Sequence, residues 1–219
     1  MQISIADVLS SAEIEKARRV LDGAKFESGR RTAGWAAAGV KDNQQAVRDV
    51  AVEELRDRFV ERIGAHALFK MAVRPKDFIG ALFSRYGAGQ AYGSHVDNAI
   101  MQGRRTDVSF TLFLSDPASY EGGELIVETP GGEDAVKLEA GGVFAYPSTS
   151  LHRVAPVTGG ERLVMVGWVR SFIREPGQRE LLFDLETAQR AMFDRHGKTA
   201  EFDLVSKSLT NLLRMWVVD

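Results

Sequence analysis

The sequence predicts an α+β chain with a mainly β core, in which helices precede the strands and a helical segment follows them. Helical periodicity dominates the first quarter of the 219 residues. Short apolar or alternating runs, separated by Gly, Pro and Asp, occupy about residues 78–170, and helical periodicity returns after Pro176-Gly177. Several short strands at this spacing are typical of a sandwich or barrel.

The N-terminal quarter carries two helix signals. Ser10 followed by Glu13 three residues later forms a capping box, because each side chain can satisfy a free backbone N–H at a helix start. A polar, glycine-bearing stretch runs from Ser28 to Asn43, and a second helix is predicted from Gln45 to Ile63. The apolar residues near helical spacing are Ile14, Ala17 and Leu21 in the first helix and Val47, Val50, Ala51, Leu55, Phe59 and Ile63 in the second.

The middle of the chain carries six candidate strands. Glycine-rich pieces such as Glu121-Gly122-Gly123 and Ala140-Gly141-Gly142 divide them, as turns do between strands. The order in which the strands pair cannot be read from the sequence. The candidates are Phe78–Arg85, Val108–Leu114, Glu124–Glu128, Ala135–Leu138, Val143–Tyr146 and Leu163–Val169.

The C-terminal part forms a helical appendage in this interpretation. The Pro176-Gly177 pair is the best boundary, which divides the chain into a domain of residues 1–174 and a helical subdomain of residues 175–219. Helices are predicted from Arg179 to His196 and from Phe202 to Trp216. Two short helices on a β core expose more apolar surface than one domain covers, so we expect a homodimer through these helices. The apolar tail residues are Leu212, Leu213, Met215, Trp216, Val217 and Val218.

Composition excludes several functional classes. Lys and Arg total 28 and Asp and Glu total 30, so a net charge of −2 leaves no electrostatic footprint for nucleic acid or an anionic membrane. We find no 18-residue apolar run and no signal peptide, so a cytoplasmic protein is expected. Because cysteine is absent, disulfides, Cys-ligated zinc, iron–sulfur clusters and a Cys nucleophile are excluded. A tight metal site must therefore use His and carboxylate.

The tripeptide His95-Val96-Asp97 is the first candidate for such a site. On an extended strand, residues i and i+2 point to the same face, so an imidazole and a carboxylate would converge. Alone, the pattern is weak, and a surface His beside a solvated Asp is then the favoured explanation. His152 lies 55 residues downstream, after an apolar run. Two His and one carboxylate leave open positions on a metal, as in non-haem iron(II) oxygenases.

Two further residues suggest a bound organic acid. Arg162 opens the apolar run Leu163–Val166, and an Arg that enters a buried strand is costly without a charge partner. Its forked guanidinium suits a small dicarboxylate, although an isolated Arg at a strand end usually makes a surface salt bridge. Tyr86 ends an apolar strand nine residues before His95, where it is alternatively an ordinary core tyrosine.

Taken together, His95-Val96-Asp97, His152 and Arg162 resemble the 2-oxoglutarate and iron(II)-dependent dioxygenase superfamily in order, spacing and β-rich context. Within it, the chain is most similar to the PKHD-type hydroxylases of the prolyl 4-hydroxylase-like branch and to their bacterial, iron-uptake-associated PiuC group. The resemblance runs over nearly the whole chain. The segments that carry it are Thr32–Gly34, Val40–Gln44, Tyr92–Ala99, Asp107–Ser115, Tyr120–Leu125 and Tyr146–Val154.

The resemblance implies a double-stranded β-helix, or jelly roll, that uses Fe(II), 2-oxoglutarate as cosubstrate and O₂, with ascorbate as a supporting reductant. His95, Asp97 and His152 match the iron ligands, and Arg162 matches the residue that binds the far carboxylate of 2-oxoglutarate. Four residues match the rest of the cosubstrate pocket, namely Tyr86, Thr111, Leu125 and Trp168.

One departure concerns Phe113, which stands where animal prolyl hydroxylases place a tyrosine that helps to hold the far carboxylate. Without that hydroxyl, Arg162 needs another partner, and we expect Thr111 or a Ser on a neighbouring strand to supply it.

The predicted function is oxidation, by hydroxylation or otherwise, of a small-molecule or peptidyl substrate with release of succinate and CO₂, in a setting linked to iron uptake. A jelly roll that binds metal or an organic acid without turnover is the main alternative, and a zinc hydrolase is a weaker one. Met101 to Thr106 reads as a flexible loop whose Arg104 and Arg105 are solvated or meet an anionic substrate. His66 and His196 lie near predicted helix ends and are interpreted as structural or surface residues.

Overall fold

The computed structural model describes residues 1–32, 34–35 and 37–219. Five α-helices occur in these ranges, three in the first third of the chain and two at its C-terminal end. Ala33, which belongs to one of the segments that carry the family resemblance, lies outside the described residues. The helices are α1 (Ser11–Asp22), α2 (Val50–Ala65), α3 (Ala67–Val73), α4 (Pro176–His196) and α5 (Ala200–Trp216).

Sixteen strands, several of only two or three residues, occur in the described part of the chain. They are β1 (Ile3–Ile5), β2 (Phe26–Ser28), β3 (Lys41–Asp42), β4 (Gln44–Ala46), β5 (Pro75–Tyr86), β6 (Ala91–His95), β7 (Ile100–Met101), β8 (Arg104–Arg105), β9 (Val108–Phe113), β10 (Tyr120–Gly122), β11 (Leu125–Thr129), β12 (Gly132–Val136), β13 (Val143–Pro147), β14 (His152–Val154), β15 (Val157–Gly160) and β16 (Arg162–Ser171).

Two antiparallel sheets form the β core. The larger sheet has seven strands in the order β1-β13-β9-β16-β5-β4-β2, and the smaller has five in the order β12-β11-β14-β6-β3. Two separate two-stranded pairings, β10 with β15 and β7 with β8, lie outside them. The mainly β core between helical segments is the order that the sequence predicts.

The central strands of the larger sheet are buried on both faces. Along β16, Val164 packs with residues of the smaller sheet, whereas Leu163 and Met165 pack with the helices. Successive side chains of a strand point to opposite faces, so this alternation places Arg162 and Trp168 on the inner side, between the sheets. Helices α1, α2 and α3 cover the outer side through residues such as Phe59.

The second helix begins later than its periodicity suggests. We predicted a start at Gln45, but Gln44–Ala46 is strand β4, and α2 begins at Val50. The Asp49 side chain accepts a hydrogen bond from the Val52 N–H at 2.9 Å, which makes Asp49 the N-cap. Residues Gln44–Ala46 pair with both β2 and β5 and so belong to the larger sheet. The helical pattern of apolar residues therefore predicted the start of α2 too early.

The C-terminal helices pack on the β core through a small apolar cluster of their own. Leu182 of α4 and Leu209 of α5 are buried there against Ile173, at the end of the larger sheet. Arg74 and Glu186 form an ion pair that joins the residue after α3 to α4. The division at residue 174 remains a prediction. None of the described helices is long and apolar enough to cross a membrane.

Candidate metal centre and cosubstrate pocket

The three candidate metal ligands converge. His95 is the last residue of β6 and pairs directly with His152, the first residue of β14. The two imidazole rings lie 4.2 Å apart between centroids, and His152 Nε2 lies 3.8 Å from Asp97 Oδ2. One ligand atom from each of His95, Asp97 and His152 lies within 4.8 Å of the others. A single ion can therefore be held by all three side chains.

Asp97 reaches this point by a different route from the one we predicted. We expected Asp97 to share a strand with His95, but β6 ends at His95, and Asp97 lies in the following irregular segment. A hydrogen bond from the Ser109 hydroxyl to Asp97 Oδ2, 2.5 Å long, holds the carboxylate. Ser109 in turn lies 2.8 Å from the Ser148 hydroxyl. Ser109 of β9 and Ser148, in the turn after β13, thus orient the carboxylate in place of strand geometry.

Backbone carbonyls orient both histidines. His95 Nδ1 lies 2.9 Å from the Gly93 carbonyl oxygen, and His152 Nδ1 lies 3.0 Å from that of Ser150. Because a carbonyl oxygen only accepts, each Nδ1 carries the proton and each Nε2 keeps its lone pair for a metal. Burial, with a smaller contribution from the neighbouring His152, lowers the pKa of His95 to about 4. At neutral pH the His95 imidazole is therefore neutral, with a proton on Nδ1 and a free lone pair on Nε2.

Arg162 is a buried cation that lacks an anion. Its side chain is 1% exposed, and no carboxylate of residues 1–32, 34–35 or 37–219 lies within ion-pair distance of it. Its guanidinium carbon lies 5.2 Å from the Tyr86 ring and 5.5 Å from the Phe113 ring, while Nε has no hydrogen-bond partner among the described residues. Burial lowers the pKa of Arg162. Such a group is costly unless a ligand supplies the countercharge.

The other predicted pocket residues line the same cavity as the metal ligands. The cavity has a volume of about 270 Å³ and lies between the two sheets. Tyr86 pairs with Arg162 across β5 and β16, and Trp168 lies six residues after Arg162 on the same face. Both belong to the cavity wall, as do Thr111 and Leu125. The structure therefore brings together every site residue that we predicted.

Tyr120 on β10 brings to Arg162 a hydroxyl that we did not predict. We named Thr111, or a Ser on a neighbouring strand, as the substitute for the hydroxyl missing at Phe113, and Thr111 lines the cavity. Burial raises the pKa of Tyr120, and the Arg162 charge opposes this rise. Tyr120 Oη has no hydrogen-bond partner of ordinary geometry among the described residues. Tyr120 is therefore a candidate to position the Arg162 guanidinium from outside the cavity wall.

The segment that carries β3 and β4 closes one side of the cavity. β3 pairs with β6 of the smaller sheet and β4 with β5 of the larger one, so the chain crosses between the sheets at Asn43. The Asn43 side chain lies beside Tyr86, and its Oδ1 is buried without a partner in the described ranges. Lys41 also lines the cavity and is buried. We had predicted a polar, glycine-bearing stretch here and named Val40–Gln44 as part of the family resemblance, without a place in the site.

Residues 101–106 are not a loose loop, which corrects our expectation. Ile100–Met101 and Arg104–Arg105 pair as a hairpin, and Gln102 and Gly103 form its turn with φ values of 51° and 72°. Positive φ at both central residues suits a tight hairpin turn. Arg105 pairs with Asp107 at 2.7 Å, whereas the exposed Arg104 has no ion-pair partner in the part of the chain that the structure describes.

The remaining histidines lie away from the cavity. His66 separates α2 from α3, and His196 is the last residue of α4, so both are at helix ends as predicted. Neither belongs to a metal-binding group among the described residues.

Comparison with known proteins agrees with this geometry. The profile of the 2OG-Fe(II) oxygenase superfamily matches residues 81–170, which contain Tyr86, Arg162 and all three metal ligands. A PKHD-type hydroxylase of Picosynechococcus is 51% identical over 99% of both chains, and one of Acaryochloris marina is 52% identical over the same shares. Another, of Maricaulis maris, is 48% identical over 100% of both chains.

Solved structures share the fold at lower identity. A Pseudomonas putida prolyl-4-hydroxylase is 24% identical, with a TM-score of 0.55 over 78% of this chain and 92% of its own. HygX from Streptomyces hygroscopicus, solved with nickel and 2-oxoglutarate, is 16% identical, with a TM-score of 0.56 over 80% and 84%. These likenesses confirm the predicted jelly roll with N-terminal and C-terminal helices. By its sequence relatives, the chain belongs to the PKHD-type hydroxylases of the 2OG-Fe(II) oxygenase superfamily.

Proposed function

We propose that this 2-oxoglutarate-dependent dioxygenase hydroxylates a C–H bond of its prime substrate. In the balanced reaction, 2-oxoglutarate, O₂ and R–H give succinate, CO₂ and R–OH. The observation that supports the proposal is the combination, in one cavity, of a His₂-carboxylate group and a buried arginine that has no counter-anion among the described residues. Metal binding alone does not require the arginine, so the pair favours the enzyme over a non-catalytic binding module.

The donor set fits iron(II). Two neutral imidazoles and a carboxylate suit this ion and leave positions open for a cosubstrate and O₂. Bound iron(II) supplies the activation of O₂ that organic side chains cannot provide. The protein holds His95 and His152 in one tautomer through backbone carbonyls and fixes Asp97 through Ser109. These contacts preorganise the ligands, so that little rearrangement accompanies metal binding.

Arg162 is proposed to bind the far carboxylate of 2-oxoglutarate. The guanidinium can make two parallel hydrogen bonds to a carboxylate, which fixes both the position and the direction of the cosubstrate. The Tyr86 and Phe113 rings hold the guanidinium from its sides and exclude water around it. In such a dry setting the charge-assisted contact is stronger than it would be in water.

The substrate class that we propose first is a prolyl or lysyl residue of a peptide, in keeping with the name of the relatives. A siderophore-like small molecule is the second, supported by a cavity of about 270 Å³ and by the proposed link to iron uptake. Ascorbate is proposed as a supporting reductant. Screening both classes for substrate-stimulated succinate release distinguishes them.

The proposed function is tested by visible spectroscopy, first without O₂ and then with it. Addition of iron(II) and 2-oxoglutarate to the folded protein should produce the weak visible charge-transfer band of the bound pair, and admission of O₂ should release succinate. A zinc hydrolase or a simple organic-acid binder would give neither signal. Absence of both signals from folded, iron-loaded protein would refute the proposal.

A further inference from the structure

Lys41 is a second buried cation in the cavity. Its side chain is 7% exposed, and its Nζ donates a hydrogen bond of 3.0 Å to Thr32 Oγ1. The ammonium also lies 4.9 Å from the centroid of the Tyr92 ring. Within residues 1–32, 34–35 and 37–219, no carboxylate lies at ion-pair distance from it. The charge is thus held by one neutral hydroxyl and one aromatic ring.

This environment satisfies the ammonium only in part. Lysine offers three N–H donors, and a buried charge without an ionic partner is costly. Burial lowers the pKa of Lys41 to about 8, with the charge of Asp97 opposing the shift. A binding role accounts for the burial of Lys41, since a desolvated cation attracts an anion more strongly than a solvated one.

The position of Lys41 relates it to the metal centre and separates it from Arg162. β3 forms the edge of the smaller sheet and pairs Lys41 with Tyr92 of β6. The Tyr92 ring also stacks on the His95 ring at 3.7 Å, so the ammonium and the metal ligand contact the same aromatic ring. Arg162 approaches the cavity from the larger sheet. The two cations therefore serve different parts of the cavity.

We propose that Lys41 binds a carboxylate group of the prime substrate. The inference rests on the proposed function, in which Arg162 takes the far carboxylate of 2-oxoglutarate and the metal takes the near end. Lys41 then remains as an unused cation beside the metal ligands. One ammonium with a single neutral neighbour suits a monoanion such as a carboxylate better than a dianionic phosphate, which is usually met by several donors.

The test uses zinc(II)-substituted protein loaded with 2-oxoglutarate, which is inert to O₂, and acetate as the probe. Backbone amide signals of Lys41, Asp42 and Tyr92 are followed by ¹H–¹⁵N NMR during an acetate titration. We expect saturable shifts in the wild type, no response to the uncharged isostere acetamide, and binding about tenfold weaker or worse in Lys41→Met, as the loss of a charge-assisted hydrogen bond implies.

Lys137 provides a matched control. Its Nζ also lies over a tyrosine ring, 3.9 Å from the Tyr120 centroid, and also donates one hydrogen bond, to the Tyr120 carbonyl oxygen. Lys137 does not belong to the cavity wall, so Lys137→Met should bind acetate as the wild type does. Thermal unfolding checks that the variants are folded, and Lys41→Gln, which keeps a polar group near Thr32 without the charge, should lose acetate binding as Lys41→Met does.

Three results would overturn the inference. The first is acetate binding by Lys41→Met and Lys41→Gln at wild-type strength, and the second is no saturable acetate binding by the wild type. The third is a loss of 2-oxoglutarate affinity in Lys41→Met, measured by calorimetry, as large as that in Arg162→Ala, because Lys41 would then belong to the cosubstrate site. Failure of the wild type to bind 2-oxoglutarate at all would instead contradict the proposed function itself.

Discussion

Single hydrogen bonds decide which atom each metal ligand presents. The carbonyl oxygens of Gly93 and Ser150 fix the tautomers of the two histidines, and Ser109 fixes the carboxylate. The candidate metal ligands could be identified from the sequence, because His-x-Asp and a distant His form a recognisable pattern. Ser109 and Tyr120 could not be identified in this way. Their roles depend on which strands become neighbours, and strand pairing is a long-range property.

The role of Arg162 gives the first prediction. Replacement of Arg162 by Ala should raise the 2-oxoglutarate requirement on the order of 100-fold, since it removes a buried, charge-assisted pair. Tyr120→Phe should raise it about tenfold, the lower end of the scale for one hydrogen bond to a charged group, because it removes the hydroxyl beside the Arg162 guanidinium. Iron binding should persist in both variants. Arg153→Ala, which disrupts only a surface pair with Glu133, is the control. Unchanged cosubstrate affinity in Arg162→Ala would refute the role given to Arg162.

The pH dependence of the metal-free protein gives the second prediction. The pKa of His95 is lowered to about 4 in the folded protein, below the ordinary value of 6.5 that the unfolded chain retains. Between these values the unfolded state binds the extra proton, so the contribution of His95 to the free energy of unfolding should fall as pH decreases from about 6.5 and level off near 4. Denaturant unfolding over this range should show a smaller decline in His95→Gln and an unaltered one in His196→Gln. An equal decline in His95→Gln would show that His95 is not its source.

Element boundaries show where local patterns compete with tertiary pairing. The capping box at Ser10 forms as predicted, because both of its hydrogen bonds are local. The predicted start at Gln45 failed because strand pairing overrides helical periodicity there. Strand β3, which carries Lys41, has only two residues. A strand this short shows no alternation of apolar and polar residues from which it could be predicted. Long strands such as β16 were predicted well, since a ten-residue strand that is mostly buried gives a clear apolar run.

The corrected helix start gives the third prediction. Asp49→Ala removes the N-cap hydrogen bond to Val52 and should lower the free energy of unfolding by about 1 kcal/mol. Asp49→Asn should retain most of the stability, because an amide oxygen also accepts. Chemical denaturation measures both. If Asp49→Ala were as stable as the wild type, α2 would not depend on this cap.

At the scale of the whole molecule, the layered arrangement of helices, larger sheet and smaller sheet explains why the predicted site residues line one cavity. Helices α1, α2 and α3 cover the outer side of the larger sheet, so the inner side and the smaller sheet are left to enclose the site. The C-terminal helices bury only part of their apolar surface. Leu204 is 59% exposed and Met215 is 73% exposed.

Oligomeric state gives the fourth prediction. We expect a homodimer through α4 and α5, which light scattering would show as twice the chain mass of 24.1 kDa. Met215→Asp should shift the protein toward monomer. Ile100→Asp should not, although Ile100 is 68% exposed, because it lies on the hairpin of residues 100–105 instead of the tail. A monomeric wild type at micromolar concentration would remove this prediction.

The most direct test of the account is succinate release from 2-oxoglutarate, dependent on iron(II) and O₂, by wild type and ligand variants measured in parallel. We predict turnover by the wild type and by His196→Ala, whose site lies at the end of α4. His95→Ala and Asp97→Ala should be folded, by thermal unfolding, and inactive, because two ligands cannot hold the ion in the geometry of three. Undiminished succinate yield from either folded variant would contradict the assignment of the metal centre.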